Sequence, residues 1–180
     1  MRSVRRRQKI ADLEQLAAHQ QQLLRHQFAL FERRAVLEIL GEDQHPAGRT
    51  FKEYSKLILD TAKALETGAQ EAGLEIVSPT QNHLTLIKLP DDVDSLEFQR
   101  SLERAGIITN RNMLPFDTKS AWRPSGMRFG TPALASRGLT VEQAGELGTL
   151  IGDLALGKST EAAAKEFSFD LAKQLNWWYE

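Results

Sequence analysis

The chain has 180 residues, 41% of them apolar and 26% charged, enough for one globular domain with a sizeable core plus an appendage. Its 23 basic and 24 acidic residues leave a net charge of −1, which gives the whole chain no electrostatic reason to bind nucleic acid or a membrane surface. Cysteine is absent, and this excludes a disulfide framework, a thiolate metal site and a cysteine nucleophile.

The first nine residues carry Arg2, Arg5, Arg6, Arg7 and Lys9, read here as a solvated helix start. Asp12 and Glu14 follow at once and no apolar core of a leader peptide appears, so the default compartment is the cytoplasm. Ile10, Leu13, Ala17, Leu24, Phe28, Phe31 and Ala35 recur at spacings of three, four or seven and predict a long amphipathic helix. The polar tract His19-Gln20-Gln21-Gln22 interrupts its stripe, which favours a helix lying on its own domain or on a missing one over a dimeric coiled coil. Gly41 to Gly48 is the clearest break, so residues 1–48 form the first unit.

A second unit, residues 49–157, begins with Phe51, Tyr54, Ile58, Ala62 and Leu65 on one helical face that ends near Gly68 to Gly73. Two β-rich runs, Leu74–Ser78 and Leu84–Leu89, flank the turn-prone Pro79-Thr80-Gln81-Asn82. Ser95 offers an N-cap for a helix through Arg104, Ala105-Gly106 closes it, and Ile107-Ile108-Thr109 reads as a strand. A loop containing Pro115, Asp117 and Pro124 leads to an extended run from Gly126 to Gly130. Thr140 and Gln143 have capping-box spacing before a helix with Val141, Ala144, Leu147, Ile151 and Leu154 on its apolar face. Residues 158–180 are predicted to hold a last helix carrying Ala163, Phe167, Leu171, Leu175 and Trp178 on one side. The order predicts an α+β fold: a small, mostly antiparallel sheet with helices packed on it, preceded by the long N-terminal helix.

Common catalytic motifs are missing: there is no Walker loop, G-x-G-x-x-G, H-E-x-x-H or G-x-S-x-G. His19 and His26 are seven apart but lack a third ligand, so a helix-surface role is the better reading and no metal is assigned. His45 reads as a solvated loop residue and His83 as a structural one. The informative stretch is Asn110-Arg111-Asn112-Met113-Leu114-Pro115-Phe116-Asp117, followed by Ser125-Gly126-Met127-Arg128-Phe129-Gly130-Thr131-Pro132-Ala133. In an extended Gly126–Gly130, Arg128 shares its face with the two glycines while Met127 and Phe129 point to a core. Glycines on both sides would leave room for a ligand, and a guanidinium fork suits a carboxylate or phosphate. The alternative is an arginine held in a salt bridge with a nearby acid.

The pattern S-G-x-R-x-G-T-P-A, preceded by N-x-N-x-x-P-x-D, resembles the C-terminal signature of the serine hydroxymethyltransferases. The similarity runs from Phe51-Lys52-Glu53-Tyr54 through Ile76-Val77-Ser78 and Asn82-His83-Leu84 to the helix ending near Leu156. The resemblance implies that Arg128 binds the α-carboxylate of the amino-acid substrate, that Asn112 contacts the pterin of tetrahydrofolate, and that Ser120 and Trp122 stand at folate-side positions. It also implies pyridoxal phosphate as cofactor and transfer of a one-carbon unit between serine and tetrahydrofolate.

Two departures shape that expectation. Where the family has S-G-G-T-D-N-H the chain has Ser78-Pro79-Thr80-Gln81-Asn82-His83, and where it has F-V-T the chain has Trp122-Arg123-Pro124. A bulky Trp122 and a charged Arg123 would reshape the acceptor pocket, as in the threonine aldolases and transaldolases that resemble this family. The second departure is the family's cofactor lysine in its T-H-K context: none of the nine lysines has that context, and the family position falls at or before Met1. The chain is therefore expected to be inactive alone and to need a large pyridoxal-phosphate-binding domain or subunit in a homo- or hetero-oligomer. The competing expectation is an assembly module without catalysis, using the N-terminal helix and the Trp177-Trp178-Tyr179 tail.

Overall fold

The computed structural model describes residues 51–175. The expected N-terminal helix, His19, His26, His45 and the aromatic tail lie outside these residues. Helix α1 (Phe51–Ala72) opens the described part, followed by β1 (Glu75–Ile76) and β2 (Leu84–Lys88). Helix α2 (Ser95–Arg104), β3 (Asn110–Asn112) and β4 (Gly126–Gly130) complete the sheet region. Helices α3 (Pro132–Ser136), α4 (Val141–Ala155) and α5 (Glu161–Gln174) end it. The architecture is α+β, and the four strands lie in the order β1-β2-β4-β3 with every neighbouring pair antiparallel.

Strand alternation sorts the sheet into two faces. Thr85, Ile87, Met127 and Phe129 are buried on the inner face, where Leu65, Ala69, Leu102, Leu147 and Ile151 of the helices meet them. Each Leu, Ile, Met or Phe among them contributes about 1.5–3 kcal/mol on burial. Leu84, Leu86, Lys88, Gly126, Arg128 and Gly130 belong to the outer face by the same alternation, with Asn110 and Asn112 across from Arg128 and Gly126.

Helices α1 and α4 approach backbone to backbone. A Cβ on Gly68 would stand 2.1 Å from the carbonyl oxygen of Gly145, and one on Gly148 2.1 Å from that of Leu65. These glycines are sites of close helix approach, which is why α1 runs through Gly68 to Ala72 rather than stopping there. It ends at Gly73, with φ of 114°. The T-x-x-Q pattern forms the expected capping box: Thr140 Oγ1 accepts from the Gln143 amide at 3.2 Å and Gln143 Oε1 from the Thr140 amide at 3.0 Å.

Three expectations need correction, and one helix was not anticipated. The N-cap of α2 is Asp94, whose Oδ1 accepts from the amides of Leu96 and Glu97 at 3.0 Å each, and Ser95 is the first helical residue, buried. A carboxylate at a helix start also meets the positive end of the helix dipole, which a serine hydroxyl does not exploit. The strand expected at Ile107–Thr109 forms three residues later, because the Ile107 amide is taken by the carbonyl of Leu102 in the helix-ending turn at Gly106. The run Leu74–Ser78 shortens to Glu75–Ile76, since the Leu74 amide closes α1 onto Ala69. Helix α3 had no periodic signal, being a single turn started by Pro132 near its N-terminus.

Candidate carboxylate site on the outer sheet face

Arg128 is the central residue of β4 and is exposed, while its neighbours Met127 and Phe129 are 0% and 6% exposed. Alternation therefore does what the sequence suggested: two core side chains anchor the strand from below and present the guanidinium above. Its Nε donates to Asn110 Oδ1 at 3.1 Å, and its carbonyl accepts from the Thr109 hydroxyl at 2.7 Å. Among the described residues, no carboxylate lies within ion-pair distance of Arg128.

The glycines beside Arg128 have another role than the expected one. A Cβ on Gly126 would meet Leu114 Cδ2 at 2.4 Å and the Asn112 carbonyl oxygen at 2.6 Å, so Leu114 already fills the space above that glycine. At Gly130 a Cβ would come within 3.1 Å of Leu84 Cδ2. Gly126 thus admits a side chain of the protein itself, and the face is open at Arg128 rather than across the strand.

The rest of the signature holds this strand in place. Thr131 is buried, and its hydroxyl donates to the Ile58 carbonyl at 3.1 Å, while Tyr54 Oη donates to the Pro132 carbonyl at 3.2 Å. Both bonds tie the turn after Arg128 to α1. Thr131 also donates its amide to the carbonyl of half-buried His83 at 3.3 Å. On the other side, Asp117 organises the loop between β3 and β4. It accepts from the Ser125 amide at 2.7 Å, the Ser125 hydroxyl at 2.9 Å, the Lys119 amide at 3.0 Å and the Leu114 amide at 3.3 Å. Partial burial pushes its pKa upward, but these bonds to the charged form outweigh it and hold the carboxyl down at about 2.

Asn112 lies opposite Gly126, one alternation from Arg128 on the outer face, and its Nδ2 donates to the Met113 carbonyl at 2.7 Å. Ser120 and Trp122 sit elsewhere, in a turn closed by the bond from the Arg123 amide to the Ser120 carbonyl at 3.0 Å. Arg111 Nη1 donates to the Trp122 carbonyl and Arg111 Nε to Gln99 Oε1 at 2.7 Å, while Arg123 pairs with Asp94. The turn is thereby fastened to β3 and α2, with the Trp122 side chain 80% exposed. Arg123 is spent in that ion pair. Sequence reasoning assigned no role to Asn110 or to Asp117; the signal for Asn110 was the N-x-N alternation, which puts both asparagines on the face of Arg128.

The family model for serine hydroxymethyltransferase matches residues 40–151, more than half of the chain. The chain belongs to the serine hydroxymethyltransferase family. It is 40% identical over 116 residues to the serine hydroxymethyltransferase of Myxococcus xanthus, a match covering 63% of this chain and 28% of that protein. To that of Caulobacter sp. it is 41% identical over 119 residues, covering 65% and 27%. To that of Sorangium cellulosum it is 33% identical over 141 residues, covering 77% and 33%. The chain thus spans about a quarter to a third of the length of these curated relatives.

Pyridoxal phosphate, which the resemblance to serine hydroxymethyltransferases implies, needs an amine to carry it and a partner for its ring nitrogen. Among the described residues these are not assembled around Arg128. Lys88 shares the outer face, but Glu75 Oε2 at 2.9 Å holds its ammonium, and that hydrogen bond raises its pKa and keeps it charged. Lys56, Lys63 and Lys173 pair with Asp60, Glu66 and Asp170 on their own helices, and Lys158 donates to the Ala72 carbonyl at 2.6 Å. Residues 51–175 do not fit the cofactor. Two grooves lie away from Arg128: one of about 360 Å³ beside Gln143, Glu146, Glu166 and Asp170, the other of about 560 Å³ beside Asp92, Phe98, Arg104 and Leu156. None of the described helices is long and apolar enough to cross a membrane, and no described cluster of acids and histidines could hold a metal.

Proposed function

We propose that this chain is the small-domain portion of a serine hydroxymethyltransferase-type enzyme, and that Arg128 binds the α-carboxylate of a serine or glycine substrate. The observation that carries the reading is the exposed guanidinium on the outer face of β4, without an acidic partner among the described residues, inside the segment that matches the family. A planar fork accepts a carboxylate through two parallel charge-assisted bonds. The lysine that would carry pyridoxal phosphate is absent from this chain, so the chain is inactive alone and works with a large domain or subunit that supplies it. Pyridoxal phosphate held by that large domain would supply an electron sink for the bonds at the substrate's α-carbon. The present chain's contribution is to hold the carboxylate and so fix the substrate's orientation.

Tetrahydrofolate is the proposed co-substrate, with Asn112 contacting it from the face of Arg128 and Ser120 and Trp122 standing at acceptor-side positions in the separate turn. A second reading, an aldehyde acceptor as in threonine aldolases and transaldolases, is favoured by Trp122, which presents a large exposed aromatic side chain where the family has phenylalanine.

The test measures glycine and serine affinity beside thermal stability in the assembly of this chain with a lysine-bearing large domain, for wild type, Arg128→Ala and Arg128→Lys. Affinity is expected to fall in the alanine variant by about 1.5–3 kcal/mol per bond lost, with partial recovery in the lysine variant and an unchanged melting temperature. Unchanged affinity with a lowered melting temperature would make Arg128 a structural residue instead.

A further inference from the structure

We infer that Asn110 is a positioning residue for Arg128, an inference that rests on Arg128 being the carboxylate-binding group. Asn110 stands directly opposite Arg128 in the antiparallel pairing of β3 with β4. Its Oδ1 accepts from Arg128 Nε at 3.1 Å, and the hydroxyl of the preceding residue, Thr109, donates to the Arg128 carbonyl at 2.7 Å. The first residue of β3 and the residue before it therefore hold the arginine, one at the side chain and one at the backbone. The amide orientation follows from the chemistry of the partner: a guanidinium has only donors, so Asn110 must turn its oxygen toward it.

An exposed arginine beside a glycine-flanked backbone would otherwise sample many rotamers, and ordering it on binding weakens affinity. A bond at Nε fixes the plane of the guanidinium. It leaves Nη1 and Nη2, with their four N–H groups, to meet a carboxylate end-on. The residue type matters as much as the place. An aspartate at position 110 would also orient the arginine, but its charge would compete with the incoming carboxylate; the neutral amide orients without neutralising.

The test uses the ¹⁵N-labelled 180-residue chain, with the Arg128 Nε–H signal identified by its loss in Arg128→Lys. Slow solvent exchange of that proton is expected in wild type, with exchange typical of a solvated arginine in Asn110→Ala; the same rate in both would overturn the inference. Titration with sodium acetate, followed on the Arg128 side-chain signals, is expected to show affinity about three- to tenfold weaker in Asn110→Ala and weaker still in Asn110→Asp, with melting temperatures held. A purely structural asparagine would move the melting temperature and leave the titration alone. If acetate binds wild type and Asn110→Ala equally well, this inference fails and the reading of Arg128 stands. If acetate does not perturb Arg128 even in wild type, the reading of Arg128 fails and this inference falls with it.

Discussion

Asp117 shows how a single side chain can govern a loop that the signature otherwise leaves undefined. Its four hydrogen bonds reach both ends of the β3–β4 connection, from Leu114 to Ser125, and hold its pKa at about 2 against an ordinary 3.8. A carboxylate with a depressed folded-state pKa contributes stability that is fully present above about pH 4 and is lost as the pH falls toward about 2. Acid unfolding followed by circular dichroism should therefore show a stability slope in that window which Asp117→Asn flattens. At neutral pH, Asp117→Ala is expected to cost about 1.5–3 kcal/mol, as loss of bonds to a charged acceptor does. A steric prediction belongs to Gly126, where the Leu114 side chain and the Asn112 carbonyl leave no room for a methyl group. Gly126→Ala should destabilise the chain by about 1–3 kcal/mol in urea unfolding, while the same change at Gly138 meets nothing within 4 Å and is penalised through its φ of 89° alone.

Among the elements, the α1–α4 pair is the one whose geometry is set by absent side chains. Gly68, Gly145, Gly148 and Gly152 let the two backbones approach, and a Cβ on Gly148 would stand 2.1 Å from the Leu65 carbonyl oxygen. Because the three nearest atoms there are all backbone and the closest is nearer than either neighbour of a Gly126 Cβ, Gly148→Ala is expected to be more damaging than Gly126→Ala, costing about 3 kcal/mol. Comparison of the two melting temperatures checks the order. The same glycines explain what the sequence did and did not disclose. Periodicity located α1, α4 and α5 because a helix that buries one face repeats its apolar residues, and T-x-x-Q marked the start of α4. Strand limits were less legible, since Ile107-Ile108-Thr109 has the β-branched residues of a strand while the pairing falls on the polar Asn110-Arg111-Asn112. Hydrogen-bond register decides that, and no propensity records it. The outward placing of Arg128 was legible through the alternation of Met127 and Phe129; its bond to Asn110 was not, because that depends on which residue of β3 faces which of β4.

At the scale of the molecule, the described part presents apolar side chains that nothing in it covers. Ile108 is 92% exposed, Phe116 97% and Trp122 80%, all in the segment around β3. Phe116 in addition has a φ of 61°, as the third residue of a turn closed by the bond from the Asp117 amide to the Leu114 carbonyl at 3.1 Å. A bulky residue in that conformation costs about 1–2 kcal/mol, with no packing within the described part to offset it. Phe116→Gly is therefore expected to leave the isolated chain at least as stable as wild type, and to weaken association with a lysine-bearing large domain if that domain covers the residue. Light scattering and melting curves on the two proteins, alone and mixed, check both halves of this statement.

We propose that this chain carries the substrate-carboxylate part of a serine hydroxymethyltransferase-type site and that its own lysines do not hold pyridoxal phosphate. Borohydride reduction of the purified 180-residue chain in the presence of pyridoxal phosphate, followed by peptide mass spectrometry, tests it most directly. Scattered, substoichiometric labelling of surface lysines such as Lys52 and Lys165 is expected, whereas one stoichiometric pyridoxyl adduct at a single lysine would contradict the proposal.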